Sequence, residues 1–219
     1  METITPDEMR ILEERAENLG IPRLLLMENA GSSIARILRT RFPNLKEKKI
    51  VVLAGSGNNG GDGFVAARHL VRYCDKVYVI LLSEEEKVRT LEAQTNLKII
   101  KNMNSLTFIV CEKRDKLEEN KELILKADII LDAIFGTGIK GSIKEPYSST
   151  IELINNSKAF KVAVDIPSGL DPLDGKVHDK AVKADLTVSF HRAKKGLLLR
   201  KDLVGELIVE DIGIPPDVE

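Results

Sequence analysis

The sequence predicts an α/β fold, a three-layer αβα sandwich with a Rossmann-like, mostly parallel β-sheet and helices on both faces. Short runs rich in Ile and Val alternate along the 219 residues with longer stretches of helical apolar periodicity. Such strands, separated by helices, form parallel sheets that are buried on both faces. In addition, residues 50–63 form an apolar run followed by glycine-rich sequence, the pattern of a strand leading into a ligand-binding turn.

Two helices are predicted at the N-terminus. Thr5, Pro6 and Glu8 form the pattern of a capping box with proline at the first helical position, and this helix should run to about Leu19. A second helix should begin at Pro22, with a broad apolar stripe along one face.

The glycine-rich stretch that follows the first strand has five glycines within nine positions, 55–63. Its spacing Gly55-x-Gly57-x-x-Gly60 fits the dinucleotide-binding fingerprint, which alone is weak evidence. Asn58, Asn59 and Asp62 are common turn residues, so each could belong to an ordinary turn. Their crowding among glycines favours a ligand-binding loop, with helical periodicity resuming at Phe64.

The rest of the chain alternates between strands and helices. Further strands are predicted at 76–82, 106–110, 128–132, 161–165, 186–190 and 206–209, with helices at 85–101, 115–126 and 145–156.

Composition excludes several classes of protein. Lys and Arg total 33 against 34 Asp and Glu, so a nucleic-acid-binding surface has no support. Cys74 and Cys111 match no metal or redox spacing and indicate free thiols in a reducing compartment. No apolar run is long enough to cross a membrane, and no signal peptide is apparent. We expect a cytoplasmic protein without a membrane partner.

Polar side chains follow three of the predicted strands, in segments 55–63, 132–142 and 165–171. Ligands bind beyond the carboxyl ends of the strands in such sheets, so these segments should share one edge. The side chains concerned are Asn59, Asp62, Asp132, Asp165 and Ser168. Grouped oxygen donors suit a cation, and a carboxylate outside that group, against apolar walls, could exchange protons near neutrality. Turn or capping roles for both strand-end aspartates, and an ordinary turn at Ser168, remain alternatives.

Other reactive residue types carry less information. No histidine pair has a metal-ligand spacing; His69 is predicted to be structural and His191 is ambiguous. Ser168 lacks the Gly-x-Ser-x-Gly context of a hydrolase nucleophile. Lys194 and Lys195 could meet phosphates or could equally be a solvated pair.

Segments 27–31, 57–63, 132–138, 164–171, 184–190 and 195–197 together resemble the YjeF N-terminal domain family, whose characterised members are NAD(P)H-hydrate epimerases. The matching pieces extend over almost the whole chain. The resemblance implies a single domain at 1–219 and suggests a homodimer. Many relatives fuse this domain to a kinase-like dehydratase. Because this sequence ends at Glu219, we expect an ADP- or ATP-dependent dehydratase on a separate protein.

The resemblance also implies roles for individual residues towards hydrated NADH or NADPH (NADHX, NADPHX). The residues expected to contact the nucleotide are Asn58, Asn59, Gly60, Gly61 and Asp62; those expected to wrap its phosphate-bearing part are Gly136, Thr137, Gly138, Ile139, Lys140, Gly141 and Ser142. Asn59, Asp132 and Ser168 would hold a potassium ion, K⁺. Asp165 would bind near the reacting ring and is the candidate catalytic acid/base, because it ends a strand without being assigned to the ion.

Two other functions are alternatives. An NAD(P)-dependent oxidoreductase would need an acidic residue about 20 positions beyond the glycine segment, and Asp75 is poorly placed because it begins a strand. A non-catalytic nucleotide-binding or interaction module would have no need for the full set Asn59, Asp132, Asp165 and Ser168.

Overall fold

The computed structural model describes residues 2–137 and 141–219. The helices in these residues are α1 (Pro6–Leu19), α2 (Arg23–Arg41), α3 (Asn58–Leu70), α4 (Leu91–Lys101), α5 (Arg114–Leu125), α6 (Tyr147–Asn156), α7 (Lys195–Leu199) and α8 (Lys201–Val204). The strands are β1 (Lys49–Ala54), β2 (Lys76–Leu81), β3 (Thr107–Val110), β4 (Ile129–Ala133), β5 (Phe160–Val164), β6 (Leu186–Phe190) and β7 (Glu206–Glu210).

The strands form one seven-stranded sheet in the order β3-β2-β1-β4-β5-β6-β7. Every neighbouring pair is parallel; Val52 of β1, for example, lies opposite Val79 of β2 and Leu131 of β4. The order reverses direction between β1 and β4, which makes the carboxyl ends of these two strands the topological switch point of the sheet.

Helices cover both faces of the sheet, as the sequence predicts. Ile50 and Val52 of β1 belong to a core that includes apolar side chains of α1 to α4. Val51 and Leu53, which point to the opposite face, belong to a second core with α5 and α6. The three-layer sandwich is therefore confirmed.

The glycine segment differs from the prediction, because α3 begins at Asn58 rather than near Phe64. The glycines allow this early start through close packing. A Cβ atom on Gly60 would lie 2.0 Å from the carbonyl oxygen of Gly55, and one on Gly61 would lie 2.6 Å from Cε of Met27. Most of the predicted loop is therefore the first turns of a helix packed against α2.

Two features fix the start of α1. The capping box at Thr5 and Glu8 is present. The backbone N–H of Ile4 donates to the carbonyl of Ala193, beyond the end of β6, at 2.9 Å. This bond ties the start of α1 to the sheet edge where polar residues were predicted.

The predicted helix at 85–101 is shorter in the structure. Glu85–Lys87 form a 3₁₀ turn, and α4 begins only after Thr90, which caps it. Within the described residues, no helix combines the length and apolarity that crossing a membrane requires.

Candidate active site

A cavity of about 710 Å³ lies at the carboxyl edge of the sheet, beside the topological switch point. Helices α1 and α2 form one wall, and residues at or beyond the carboxyl ends of β1, β2, β4, β5, β6 and β7 form the rest. Cavities of this size bind small organic ligands. The predicted site residues that line it are Asn58, Asn59, Asp62, Gly136, Thr137 and Asp165.

Asp132, near the end of β4, and Ser168, in the segment after β5, connect these two strands at the same edge of the sheet. Both residues are fully buried. The Asp132 carboxylate accepts hydrogen bonds from the Ser168 backbone N–H at 2.8 Å and from the Ser168 hydroxyl at 2.5 Å. Burial raises the pKa of Asp132 to about 6, although these hydrogen bonds act in the opposite direction. The Ser168 hydroxyl also accepts the backbone N–H of Phe135 at 2.9 Å.

Asn59 lies next to this network. A Cβ atom on Gly136, the residue after Phe135, would lie 4.0 Å from the Asn59 side-chain oxygen. Asn59 is 6% exposed, and neither polar atom of its amide has a hydrogen-bond partner among the described residues. Asn59 therefore lies beside Gly136, one residue after the Phe135 backbone N–H that Ser168 accepts.

The donor chemistry of this group fits a monovalent cation. It combines one buried carboxylate with neutral oxygens, and K⁺ favours carbonyl-type oxygen ligands. The unpartnered Asn59 oxygen is a free ligand atom beside the cavity. In the described ranges, no three His, Cys, Asp or Glu side chains are arranged to hold a metal ion, so a carboxylate- or thiolate-rich site has no support there. The K⁺ site stays a prediction that the residues fit.

Asp165 follows β5 in a strained backbone conformation, with φ of 64°. Its backbone N–H donates to the carbonyl of Val188 at 2.8 Å, and its carboxylate accepts the backbone N–H of Phe190 and the hydroxyl of Ser189, both at 3.2 Å. These bonds to β6 hold the side chain at the cavity wall, where it forms an ion pair with Lys194.

The structure rules out one of the two interpretations of Lys194, that it forms a solvated pair with Lys195. Lys194 is 2% exposed, and besides the ion pair its ammonium group donates to the Ser189 hydroxyl and the Phe190 carbonyl, each at 3.3 Å. Lys195, the next residue, is exposed. No local pattern distinguishes these two lysines, because burial of the first depends on how the segment after β6 packs against Asp165.

Two further carboxyl groups face the same cavity. Burial raises the pKa of Asp62 well above its ordinary value, the charges of Asp165 and Glu13 add to this effect, and Lys194 opposes it. Burial also raises the pKa of Glu13, and the charge of Asp165 acts in the same direction. Asp62 was predicted to contact a ligand. Glu13 was missed, because its position in α1 resembles an ordinary solvated helix residue.

Other predicted residues do not reach the cavity or cannot be located. Gly60 and Gly61 are buried in the α3 packing contacts and do not line it. Gly141 and Ser142 are exposed and do not line it either. Gly138, Ile139 and Lys140 lie outside the described residues. Binding of a phosphate-bearing group by residues 136–142 stays a prediction.

His69 and His191 make contacts away from the cavity. His69 contacts Glu28 at 2.7 Å, consistent with its predicted structural role, and Glu28 also pairs with Arg68. His191 lies 3.5 Å from the Glu219 carboxylate. Neither His69 nor His191 lines the cavity.

Comparison with known proteins finds similarity along most of the chain. The model of the family described as YjeF-related protein N-terminus matches residues 23–196. A relative from Nitrosopumilus maritimus named NAD(P)H-hydrate epimerase is 43% identical over 216 residues, covering 99% of this chain and 97% of the relative.

A second relative, from Pyrobaculum aerophilum, is named bifunctional NAD(P)H-hydrate repair enzyme Nnr. It is 48% identical over 221 residues, covering 100% of this chain but 43% of the relative, so this chain spans less than half the length of that bifunctional protein. The crystal structure of yeast ynu0 superposes with a TM-score of 0.83 at 26% identity, covering 100% of this chain and 92% of the yeast chain.

Proposed function

Because the chain belongs to the YjeF-related N-terminal family, we propose that it is an NAD(P)H-hydrate epimerase, which interconverts the R and S epimers at C6 of NADHX and NADPHX. The observation that carries the proposal is the cavity itself, where the buried Asp165–Lys194 pair and Asp62 face one space beside the Asn59, Asp132 and Ser168 cluster. The relatives' names supply the substrate class.

The reaction needs a proton donor and a proton acceptor near one carbon. The substrate carries a hydroxyl on C6, next to the nicotinamide ring nitrogen. When an acid protonates this hydroxyl, the C6–O bond breaks, water leaves, and the nitrogen lone pair stabilises the resulting cation. Water then adds to the opposite face of C6 and gives up a proton to a base. The two half-reactions are the reverse of one another, so no oxidant or reductant is required.

Asp165 and Asp62 are the candidate proton-exchanging groups. Asp165 is held at the cavity wall by its hydrogen bonds to β6 and its ion pair with Lys194. This position suits its carboxylate to accept a proton from water. Asp62 has a pKa raised well above its ordinary value, chiefly by burial, which suits it to hold a proton nearer neutrality. Lys194 orients the Asp165 carboxylate and keeps its charge balanced inside the protein.

K⁺ held by Asn59, Asp132 and Ser168 would offset the buried carboxylate and stiffen the segments after β4 and β5. Within this chain, Ser168 already links these segments through Asp132 and Phe135. Asn59 supplies an unpartnered amide oxygen from the first turn of α3. These contacts lie beside the cavity and include neither of the two groups to which we assign the proton transfers, Asp165 and Asp62.

Neither alternative function is favoured by the geometry. Asp75, the acidic residue that an oxidoreductase would need at the ribose, is exposed at the start of β2 and does not line the cavity. An interaction module would not need a lysine 2% exposed and paired with a strained aspartate at the wall of a cavity.

We also propose partners and a cellular compartment for the protein. The bifunctional relatives indicate that a second repair activity accompanies this domain, and we assign it here to a separate ADP- or ATP-dependent dehydratase. We also propose a homodimer, with Leu24 and Leu25 of α2, which are 38% and 52% exposed, at its interface. Cys74 and Cys111 are buried free thiols, which suits the cytoplasm.

A turnover experiment tests the proposal. Purified protein is incubated with a single epimer of NADHX, and the two epimers are separated chromatographically over time. Equilibration of the epimers supports the proposal. Oxidation or reduction of a nicotinamide cofactor would favour the oxidoreductase, and binding without any reaction would favour the interaction module.

A further inference from the structure

Arg89 stands apart from the other cations at the cavity. The basic residues that line it are Arg10, Arg23, Arg89 and Lys194. Arg10 lies 3.5 Å from the Glu14 carboxylate, Arg23 lies 3.1 Å from Glu17, and Lys194 is paired with Asp165. In residues 2–137 and 141–219, no carboxylate lies within ion-pair distance of Arg89.

The backbone of Arg89 is fixed against the glycine segment. Its N–H donates to the carbonyl of Ser56 at 3.0 Å, the preceding Val88 carbonyl accepts the Gln94 amide at 2.8 Å, and the following Thr90 caps α4. The guanidinium group lies over Gly57, since a Cβ atom on that glycine would lie 3.5 Å from a terminal nitrogen of Arg89. Arg89 is therefore a positioned cation at the start of α3.

The start of α3 also lacks negative charge. Gly57, the N-cap residue, has no side chain to accept the first N–H groups, and the first turn contains no acidic residue. A helix N-terminus of this kind favours an anion. In addition, Asn59 in the same turn is more than nine-tenths buried, lines the cavity, and has a side-chain N–H₂ group without an acceptor in the described residues.

We propose that Arg89 binds the pyrophosphate of the dinucleotide, together with the α3 N-terminus and the Asn59 amide. This inference rests on the proposed function for the identity of the ligand. The inference concerns the pyrophosphate, which NADHX and NADPHX share, because Arg89 lies over Gly57 at the start of α3. Arg89 thus sets affinity for both substrates and does not select between them.

Calorimetric titration with ADP-ribose and with adenosine tests the inference, because the two probes share adenine and ribose but only the first has a pyrophosphate. We expect Arg89→Ala to weaken ADP-ribose binding by about 10-fold or more, as for loss of a charge-assisted hydrogen bond, with Arg89→Lys intermediate. Adenosine binding should not change. Lys87→Ala, an exposed cation two residues earlier that pairs with Glu84, serves as the matched control and should bind both probes as the wild type does.

Three outcomes would overturn the inference: unchanged ADP-ribose binding in Arg89→Ala, an equal loss of adenosine binding, or no ADP-ribose binding by the wild-type protein. In the first case, a loss of binding in a parallel titration with 2′-phospho-ADP-ribose would mean that Arg89 binds the 2′-phosphate. These measurements do not depend on turnover. Arg89-dependent ADP-ribose binding by a protein that fails to equilibrate NADHX would refute the proposed function and leave the inference standing.

Discussion

Ser168 donates both its backbone N–H and its hydroxyl to the Asp132 carboxylate, at 2.8 Å and 2.5 Å, and so joins the ends of two adjacent strands. Asp132 is fully buried and has no basic partner within ion-pair distance in the described residues. The hydrogen bonds from Ser168 satisfy part of the carboxylate but do not balance its charge. This uncompensated charge supports the proposal that the protein binds a cation at this place.

Asp132 should make stability depend on pH and on K⁺. Its pKa in the folded protein is about 6, above its ordinary value of 3.8, so the folded state holds the proton more tightly than the unfolded state. When only a large organic cation is present, the contribution of Asp132 to the free energy of unfolding should therefore fall by about 3 kcal/mol as the pH rises from about 4 to above about 6. Potassium chloride should reduce this loss, because K⁺ stabilises the ionised carboxylate. Urea unfolding at several pH values in each salt measures both effects.

Asp132→Asn is the control for this prediction. The variant has no carboxyl group at position 132, so the difference between wild type and variant isolates that group from the other carboxylates. Its stability should not change with the choice of potassium or tetramethylammonium salt. Equal salt effects in wild type and variant would mean that Asp132 does not contribute to a cation site.

Asp165→Asn should lose most epimerisation. The amide can keep hydrogen bonds from β6 but cannot take a proton from water, and loss of general acid–base assistance costs about 10²–10⁴-fold in rate. Initial rates with NADHX, and circular dichroism to check the fold, provide the measurement. Asp171→Asn, a carboxylate of the same segment that does not line the cavity, should remain active. A near-wild-type rate for Asp165→Asn would remove this residue from the mechanism.

Asp62→Asn distinguishes a catalytic role from a binding role. If Asp62 exchanges the proton, kcat should fall by about 10²-fold or more, and the limb of the pH–rate profile that belongs to Asp62 should disappear. A rise in KM at unchanged kcat would instead show that Asp62 only binds the substrate. Asp75→Asn, which alters an exposed carboxylate outside the cavity, should leave both kinetic constants unchanged.

Lys194→Ala should destabilise the protein by about 3 kcal/mol or more, because it leaves Asp165 without its cation and removes a buried donor. Asp165 keeps only 15% side-chain exposure, so water compensates little. Lys195→Ala is the neighbouring control and should change stability by less than about 0.5 kcal/mol, as is usual for an exposed residue. Denaturant midpoints measure the difference, and equal midpoints would contradict a buried role for Lys194.

Much of the fold was predictable because the relevant signals are local. The apolar strands, the capping box at Thr5 and the alternation with helices depend on neighbouring residues in the chain. The start of α3 was predicted too late, since Asn58–Gly63 resemble a turn when helix propensity is considered alone. Close packing of Gly60 and Gly61 against Gly55 and Met27 stabilises a helix there, and these contacts cannot be inferred from local sequence.

The sequence by itself determined the parallel sheet and, through it, the common edge where Asn59, Asp132, Asp165 and Ser168 lie, because the carboxyl ends of parallel strands share one side. Only the tertiary structure decided that Lys194 is buried against Asp165, that Glu13 from α1 lines the same cavity as Asp62, and that Arg89 lies over Gly57. The physical reason is that burial and ionic pairing of a charged side chain depend on which distant elements pack around it. Hydrophobic periodicity determines the strands and helices but carries no information on those pairings.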